Sequence, residues 1–195
     1  MGGLSNEKLI VLGCDPGSRH IGIAVLGQKI LLAEMWPFER GDIVQLCSVL
    51  NRRVHGLVRR FGVDMIAIEG WEWHGAHTRE TGNILMLTGA VASLSSQVLV
   101  EVVMPREWHK GMVGLTGQAK EWYFDSGGAW KATVRRAMER QLRARAMPWP
   151  DIGDDPGGHI TDAIAIALYA QDFTWMRRRF SHGPNETVLT DSKGV

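Results

Sequence analysis

The chain has 195 residues, 45% of them hydrophobic, and its 22 Lys and Arg against 21 Asp and Glu give a formal charge of +1. This length and apolar content suit one domain with a sizeable core and exclude disorder as the main state, while near-neutrality means that only local clustering of charge can announce a nucleic-acid partner. No apolar stretch approaches the ~18 residues of a membrane helix, and Met1 to Glu7 lack a signal peptide's basic start and apolar middle, so a cytoplasmic protein without membrane association is expected.

Leu9 to Leu26, LIVLGCDPGSRHIGIAVL, stops at one carboxylate, turns on Pro16-Gly17 and resumes as a second apolar run. The pattern predicts a β-hairpin with buried strands over Leu9–Leu12 and Ile21–Leu26 and with Asp15 at its rim. Alone, a D-P-G triplet reads as a turn whose aspartate caps its own backbone; a carboxylate at the mouth of a buried strand otherwise asks for a metal, a base or a hydrogen-bonded cap. Ile30 to Trp36 follows after Gly27-Gln28 and completes an antiparallel meander.

From Asp42 to Phe61, apolar Ile43, Leu46, Val49, Leu50, Leu57, Val58 and Phe61 recur at helical spacing with arginines between them, and Gly62 ends the helix. Met65 to Ile68 is a short buried strand that also ends at a carboxylate, Glu69. A helix between two such strands makes a crossover, which sets the strands parallel with their carboxyl ends on one edge, so Asp15 and Glu69 are expected to be neighbours.

An aromatic loop, Trp71 to Gly75, leads into a helix over about Thr78 to Gln97, whose Gly89, Ala92, Ser93 and Ser96 allow a close approach of the sheet or of another subunit. Val98 to Met104 is a fifth strand closed by Pro105. Arg106 to Gly128 is interrupted by five glycines and reads as a long irregular segment. Lys131 to Arg145 is a basic helix, a pattern that is most often a solvated face. After the Pro/Gly/Asp loop Met147 to Gly158, His159-Ile160-Thr161-Asp162 opens a last helix to about Phe173, and the polar tail from Arg177, like Met1 to Glu7, is expected to be mobile. Cys14 and Cys47 lack the paired spacing of a disulfide framework or zinc site and read as reduced core residues.

His159 and Asp162 lie three apart, on one face of a helix. Singly they read as a cap and as a favourable charge in the first turn. Together with Asp15 and Glu69 they make an oxygen-rich set without a thiolate, of the kind that suits Mg²⁺ or Mn²⁺.

With these residues in place, the chain resembles the RuvC-type Holliday-junction resolvases, a branch of the RNase H-like nucleases. The resemblance rests on GCDPGSRHIGIAV at Gly13 to Val25, IAIEG at Ile66 to Gly70, GGAWK at Gly127 to Lys131 and HITDAIAIAL at His159 to Leu168, in the family's order and spanning Leu9 to about Ala170. The first and last motifs are the specific ones.

The resemblance implies an α/β RNase H-like fold with a mixed five-stranded sheet flanked by helices, and a homodimeric, Mg²⁺-dependent endonuclease that nicks opposing strands of a four-way DNA junction. It puts Asp15, Glu69 and Asp162 in the acidic site, with His159 where many relatives have Asp and some have His, around two Mg²⁺ ions for which Mn²⁺ substitutes. It gives Lys131 to the phosphate near the cut. Trp71 or Trp73 falls on an aromatic wedge, His109 on a basic position after the strand-closing proline, with Lys110 next to it and Arg106 in the same segment. Arg135 and Arg136 would extend the DNA surface, and Trp108, Trp122 and Trp130 fall in or beside segments that would face it; Trp36 and Trp175 read as core. Branch-migration or recombination proteins are implied as further partners. The segment Gly111 to Ser126 is longer than in bacterial housekeeping members and compatible with a phage-borne relative.

Two other readings stay open. An RNase H-like enzyme acting on a flap, a transposon end or an RNA–DNA hybrid would carry the same acids, because such a site reports chemistry and not substrate. The D-P-G-x-x-x-x-G-I-A pattern is also similar to the first phosphate-binding hairpin of actin-like ATPases and sugar kinases, a class whose second domain this length cannot accommodate.

Overall fold

The structure, a computed structural model, describes residues 9–17, 19–38, 41–71, 79–113, 127–153, 155 and 157–180. Trp73, Trp122, the stretch 114–126 and the tail from 181 lie outside the described residues, as do the side chains of Trp130 and Trp175.

Five strands, β1 (Val11–Pro16), β2 (His20–Leu26), β3 (Ile30–Pro37), β4 (Met65–Glu69) and β5 (Leu99–Val103), form one sheet in the order β3-β2-β1-β4-β5. The first three make the antiparallel meander, and β1 pairs parallel with β4, which pairs parallel with β5. The first strand runs later than Leu9–Leu12 and carries Asp15 within it. Cys14 faces Ile68 in register, so Asp15 and Glu69 occupy the next step of adjacent parallel strands.

Five α-helices accompany the sheet among the described residues: α1 (Ile43–Phe61), α2 (Arg79–Ala92, continued by a 3₁₀ turn over Ser93–Ser96), α3 (Pro105–Val113), α4 (Gly127–Ala144) and α5 (His159–Phe180). Helix α1 has both terminal signals. Asp42 accepts from the Val44 amide at its start, and Gly62, at φ 62°, closes its end.

Side-chain alternation sorts the strands onto two cores. Leu12, Cys14, Ile21, Ile23, Val25, Ile66 and Ile68 pack with Leu50, Val54 and Leu57 of α1 and Leu87 and Val91 of α2. The opposite face presents Val11, Ala24, Leu26, Met65 and Ala67 to α3, α4 and α5. That second face includes Gly13 and Gly22, and α5 lies directly on them. A Cβ on Gly13 would stand 2.0 Å from the Ala163 carbonyl oxygen, and one on Gly22 would stand 1.9 Å from that of His159. Both positions admit glycine alone, because the helix backbone itself touches the hairpin.

Three expectations need correction. Pro105–Val113 is helical rather than irregular: proline fits the first helical position, Glu107 reaches back to accept from the Met104 amide at 3.0 Å, and Trp108 and Met112, four apart, bury one face. Helix α5 runs on to Phe180, through residues expected to be tail. Cys47 is only half-buried, whereas Cys14 is fully buried.

Candidate active site

The two parallel strands deliver Asp15 and Glu69 to one rim, both on the sheet face that α5 covers, and the glycine-lined approach of α5 brings its first turn over that rim. The loop before α5 makes the approach tight through Gly157 and Gly158, at φ 95° and 75°. Asp155 then caps the helix. Its carboxylate accepts from the amides of Ile160 at 3.1 Å and Thr161 at 3.0 Å and from the Thr161 hydroxyl at 2.9 Å. The cap reading of His159 is thereby overturned, since its side chain points elsewhere: Nδ1 lies 2.6 Å from Asp15 Oδ2, with Asp15 buried to 6% exposure.

Glu69 sits beside them. Its Oε1 accepts from the indole N–H of Trp108 at 2.9 Å. Its carboxyl is pushed up to about 9 by burial first, then by the charge of Asp15, by a hydrogen bond with the Asp15 side chain and by Asp162, against the lowering pull of Trp108. The Asp162 carboxyl is raised too, by burial, Asp15 and Asp155, with Lys131 opposing. Cys14 beneath them is held protonated by burial and by the same two acids, Asp15 and Glu69. The charge of Asp15 raises both other carboxyls, and such a cluster of acids favours positive charge among them.

Lys131, at the start of α4, supplies part of it. A methyl group on Gly158 would lie 3.8 Å from Lys131 Nζ and 3.9 Å from Asp162 Oδ2, so the lysine and the acid bracket that glycine. In donor chemistry the cluster fits a hard divalent cation: three carboxylates and an imidazole from three elements, β1, β4 and α5, with no thiolate exposed. The spacing is not that of a closed cage. Among the described residues no three acidic or imidazole groups stand together around one point; Asp15 meets His159, and Glu69 meets Trp108.

The residues expected to meet DNA divide. Arg106, Lys110, Lys131 and Arg136 are exposed, and Trp71, just beyond Glu69, is half-buried. Arg135 is exposed but bonded to Glu139 at 3.2 Å and laid over the Trp149 ring, and Arg145 pairs with Asp172, so part of the basic helix is neutralised within the chain. His109 and Trp108 are corrections. His109 is 7% exposed and burial lowers its imidazole to about 4, so it is an uncharged core group rather than a phosphate contact. Trp108, at 1% exposure, lies under the site and not on a DNA-facing surface. Two residues of the site carry no motif, Asp155 and Trp108. The spacing Asp155-x-x-x-x-Ile160 before a helix start is a weak signal for the first, and the Trp108–Met112 periodicity for the second.

No protein-family model matches the chain, and no curated protein matches it significantly. Solved structures do. Thermus thermophilus RuvC in complex with a Holliday junction substrate is 20% identical, with a TM-score of 0.64 over 86% of this chain and 96% of that one. The yeast mitochondrial Holliday junction resolvase is 10% identical, with a TM-score of 0.61 over 89% and 82%. Fowlpox virus resolvase, solved with Holliday junction DNA, is 14% identical, with a TM-score of 0.50 over 85% and 99%. The structural neighbours of the chain are thus RuvC and other Holliday junction resolvases, and its mixed five-stranded sheet with flanking helices is their RNase H-like fold.

Proposed function

We propose that the protein is a structure-selective endonuclease that resolves four-way DNA junctions by metal-dependent phosphodiester hydrolysis, with Asp15, Glu69, Asp162 and His159 holding divalent cations. The observation that carries this reading is the convergence of Asp15 and Glu69 at the rim of β1 and β4 with His159 and Asp162 in the first turn of α5, on a resolvase fold. The junction as substrate is supported by the neighbours in fold that were solved with Holliday junction DNA.

Bound cations would offset charge on the attacking and leaving oxygens of an in-line displacement. The chain's own residues prepare the place for this. Asp15 stands between Glu69 and His159 and meets both side chains. Glu69 is fixed by Trp108 through one oxygen, which leaves the other for Asp15 or an ion. Lys131, exposed beside Asp162, meets the phosphate from the solvent side, and Lys110, Arg106 and Arg136 supply further charge for the duplex arms. Paired nicks call for two copies of the site. The exposed Leu85 and Met86 on α2, flanked by Gly82 and Gly89 with open space above them, support a second copy docking there.

The test is incubation of the purified protein with labelled four-way junction, duplex, flap and RNA–DNA hybrid, each with Mg²⁺, with Mn²⁺ and with chelator. Symmetric nicks in the junction alone, abolished by chelator, are expected. Cleavage of the hybrid or flap in preference would move the substrate to another RNase H-like class, and metal-independent cleavage would remove the site assignment.

A further inference from the structure

We propose that Trp108 is a positioning residue for Glu69: its buried indole N–H holds one carboxylate oxygen so that the other is turned toward Asp15 and the cation site. The inference rests on the metal reading of the site given above and adds to it a residue outside the acidic set.

The geometry is that of a built support. Trp108 is 1% exposed and its Nε1 stands 2.9 Å from Glu69 Oε1, across 39 residues of sequence, so the contact is tertiary. An indole is a donor only, with a single N–H, and that N–H is spent here on one carboxylate oxygen. The ring has no freedom to leave. His109 meets it at 3.8 Å between centroids and 64° between planes, and Met112 buries the next turn of the same helix face. Helix α3 is itself anchored at its start by Pro105 and by Glu107 on the Met104 amide. The support therefore runs from a capped helix through a buried ring to the carboxylate. The position at which a basic phosphate contact was expected, His109, serves here as the neutral group against which Trp108 is set.

A donor that fixes a ligand's second oxygen typically changes metal affinity by about tenfold to a hundredfold when it is lost. The experiment compares wild type, Trp108→Phe and Met112→Leu. Trp108→Phe keeps a buried aromatic ring and deletes the N–H; Met112→Leu perturbs the same core without touching Glu69. Mn²⁺ alone is the probe, titrated into metal-free protein and read by the free-ion paramagnetic signal, with melting temperature measured in parallel. The indole resonances in ¹⁵N correlation spectra give a readout that needs no metal, Trp108 being the one lost in Trp108→Phe.

Trp108→Phe should weaken Mn²⁺ binding about tenfold or more, Met112→Leu should leave it within twofold at a comparable loss of melting temperature, and the Trp108 indole signal should move in Glu69→Gln. Equal weakening in both variants would make Trp108 a packing residue and overturn the proposal. So would an indole signal indifferent to Glu69→Gln, or Mn²⁺ binding unchanged in Trp108→Phe, and in either case the metal reading would stand. A wild-type protein that binds no Mn²⁺ while its indole signal still answers to Glu69→Gln would instead sink the metal reading, and this inference with it.

Discussion

The two faces of the sheet are packed by opposite rules. Toward α1 and α2 the strands offer Leu12, Ile21, Ile23, Val25, Ile66 and Ile68, and the helices are held off by full-sized side chains. Toward α5 they offer Gly13, Gly22, Ala24 and Ala67 among larger Val11, Leu26 and Met65, and at the two glycines the helix backbone comes down onto the strands. Only the second arrangement brings His159 within 2.6 Å of Asp15. One face is built for stability by volume, the other for nearness, and the acids lie on the near one.

The largest effect is expected where charge is removed from the near face without a change of shape. Asp15→Asn should lower junction cleavage by orders of magnitude while the fold and junction binding persist, as a gel assay with parallel melting curves would reveal; unchanged cleavage would detach the acids from function. Next comes volume. Gly22→Ala places a methyl group where the His159 carbonyl lies, and since neither backbone can yield cheaply the loss should reach about 3 kcal/mol or more, visible as an early unfolding midpoint in denaturant.

On the near side of the sheet two buried groups titrate in opposite directions. The Glu69 carboxyl, raised to about 9, keeps in the folded state a proton that the unfolded chain has released above about 4.5. Stability from this group is full below that value and is lost as pH rises through 9, so metal-free protein should melt lower at pH 9 than at pH 6, and Mg²⁺ or Mn²⁺ should abolish the difference. His109 runs the other way. Its folded value near 4 lies below the ordinary 6.5, so its contribution is full above 6.5 and falls away as pH drops toward 4, by about 3 kcal/mol at most. His109→Gln should flatten that acid limb of the melting profile.

The smallest effect is a gain on the far side. Gly56 sits inside α1 with nothing within 4 Å of a Cβ built there. Gly56→Ala should therefore stabilise by about 0.5–1 kcal/mol, opposite in sign to Gly22→Ala. Equal losses at both positions would dissolve the distinction between the faces.

Sequence alone makes Asp15 and Glu69 neighbours, because two buried runs each end at a carboxylate and the amphipathic stretch between them forces a parallel crossover. It shows His159 and Asp162 on one helical face for the same reason of spacing. It does not show how near α5 comes, since glycines in a strand look alike whether they face a helix backbone or open water. Helix α3 is hidden by Gly111 and Gly114, which argue against a helix locally, while the burial that overrides them comes from distant partners of Trp108 and Met112. Tryptophan near candidate nucleic-acid segments reads as a stacking surface; that Trp108 turns inward is decided by a carboxylate 39 residues away.

Gln171 is a modest feature with a long reach. Its side-chain amide donates to the carbonyls of Leu9, at 2.7 Å, and Gly27, at 3.2 Å, tying α5 to the far end of the hairpin 162 and 144 residues earlier. During synthesis the meander β1 to β3 leaves the ribosome long before the helix that must cover it, with Val11, Ala24 and Leu26 waiting uncovered. Such long-range closure is slow and is exposed to aggregation until it happens. A nascent or truncated chain without residues 159–180 has Asp15 and Glu69 but neither His159 nor Asp162 and no lock across the hairpin, so the four groups of the site can assemble only after α5 has been made.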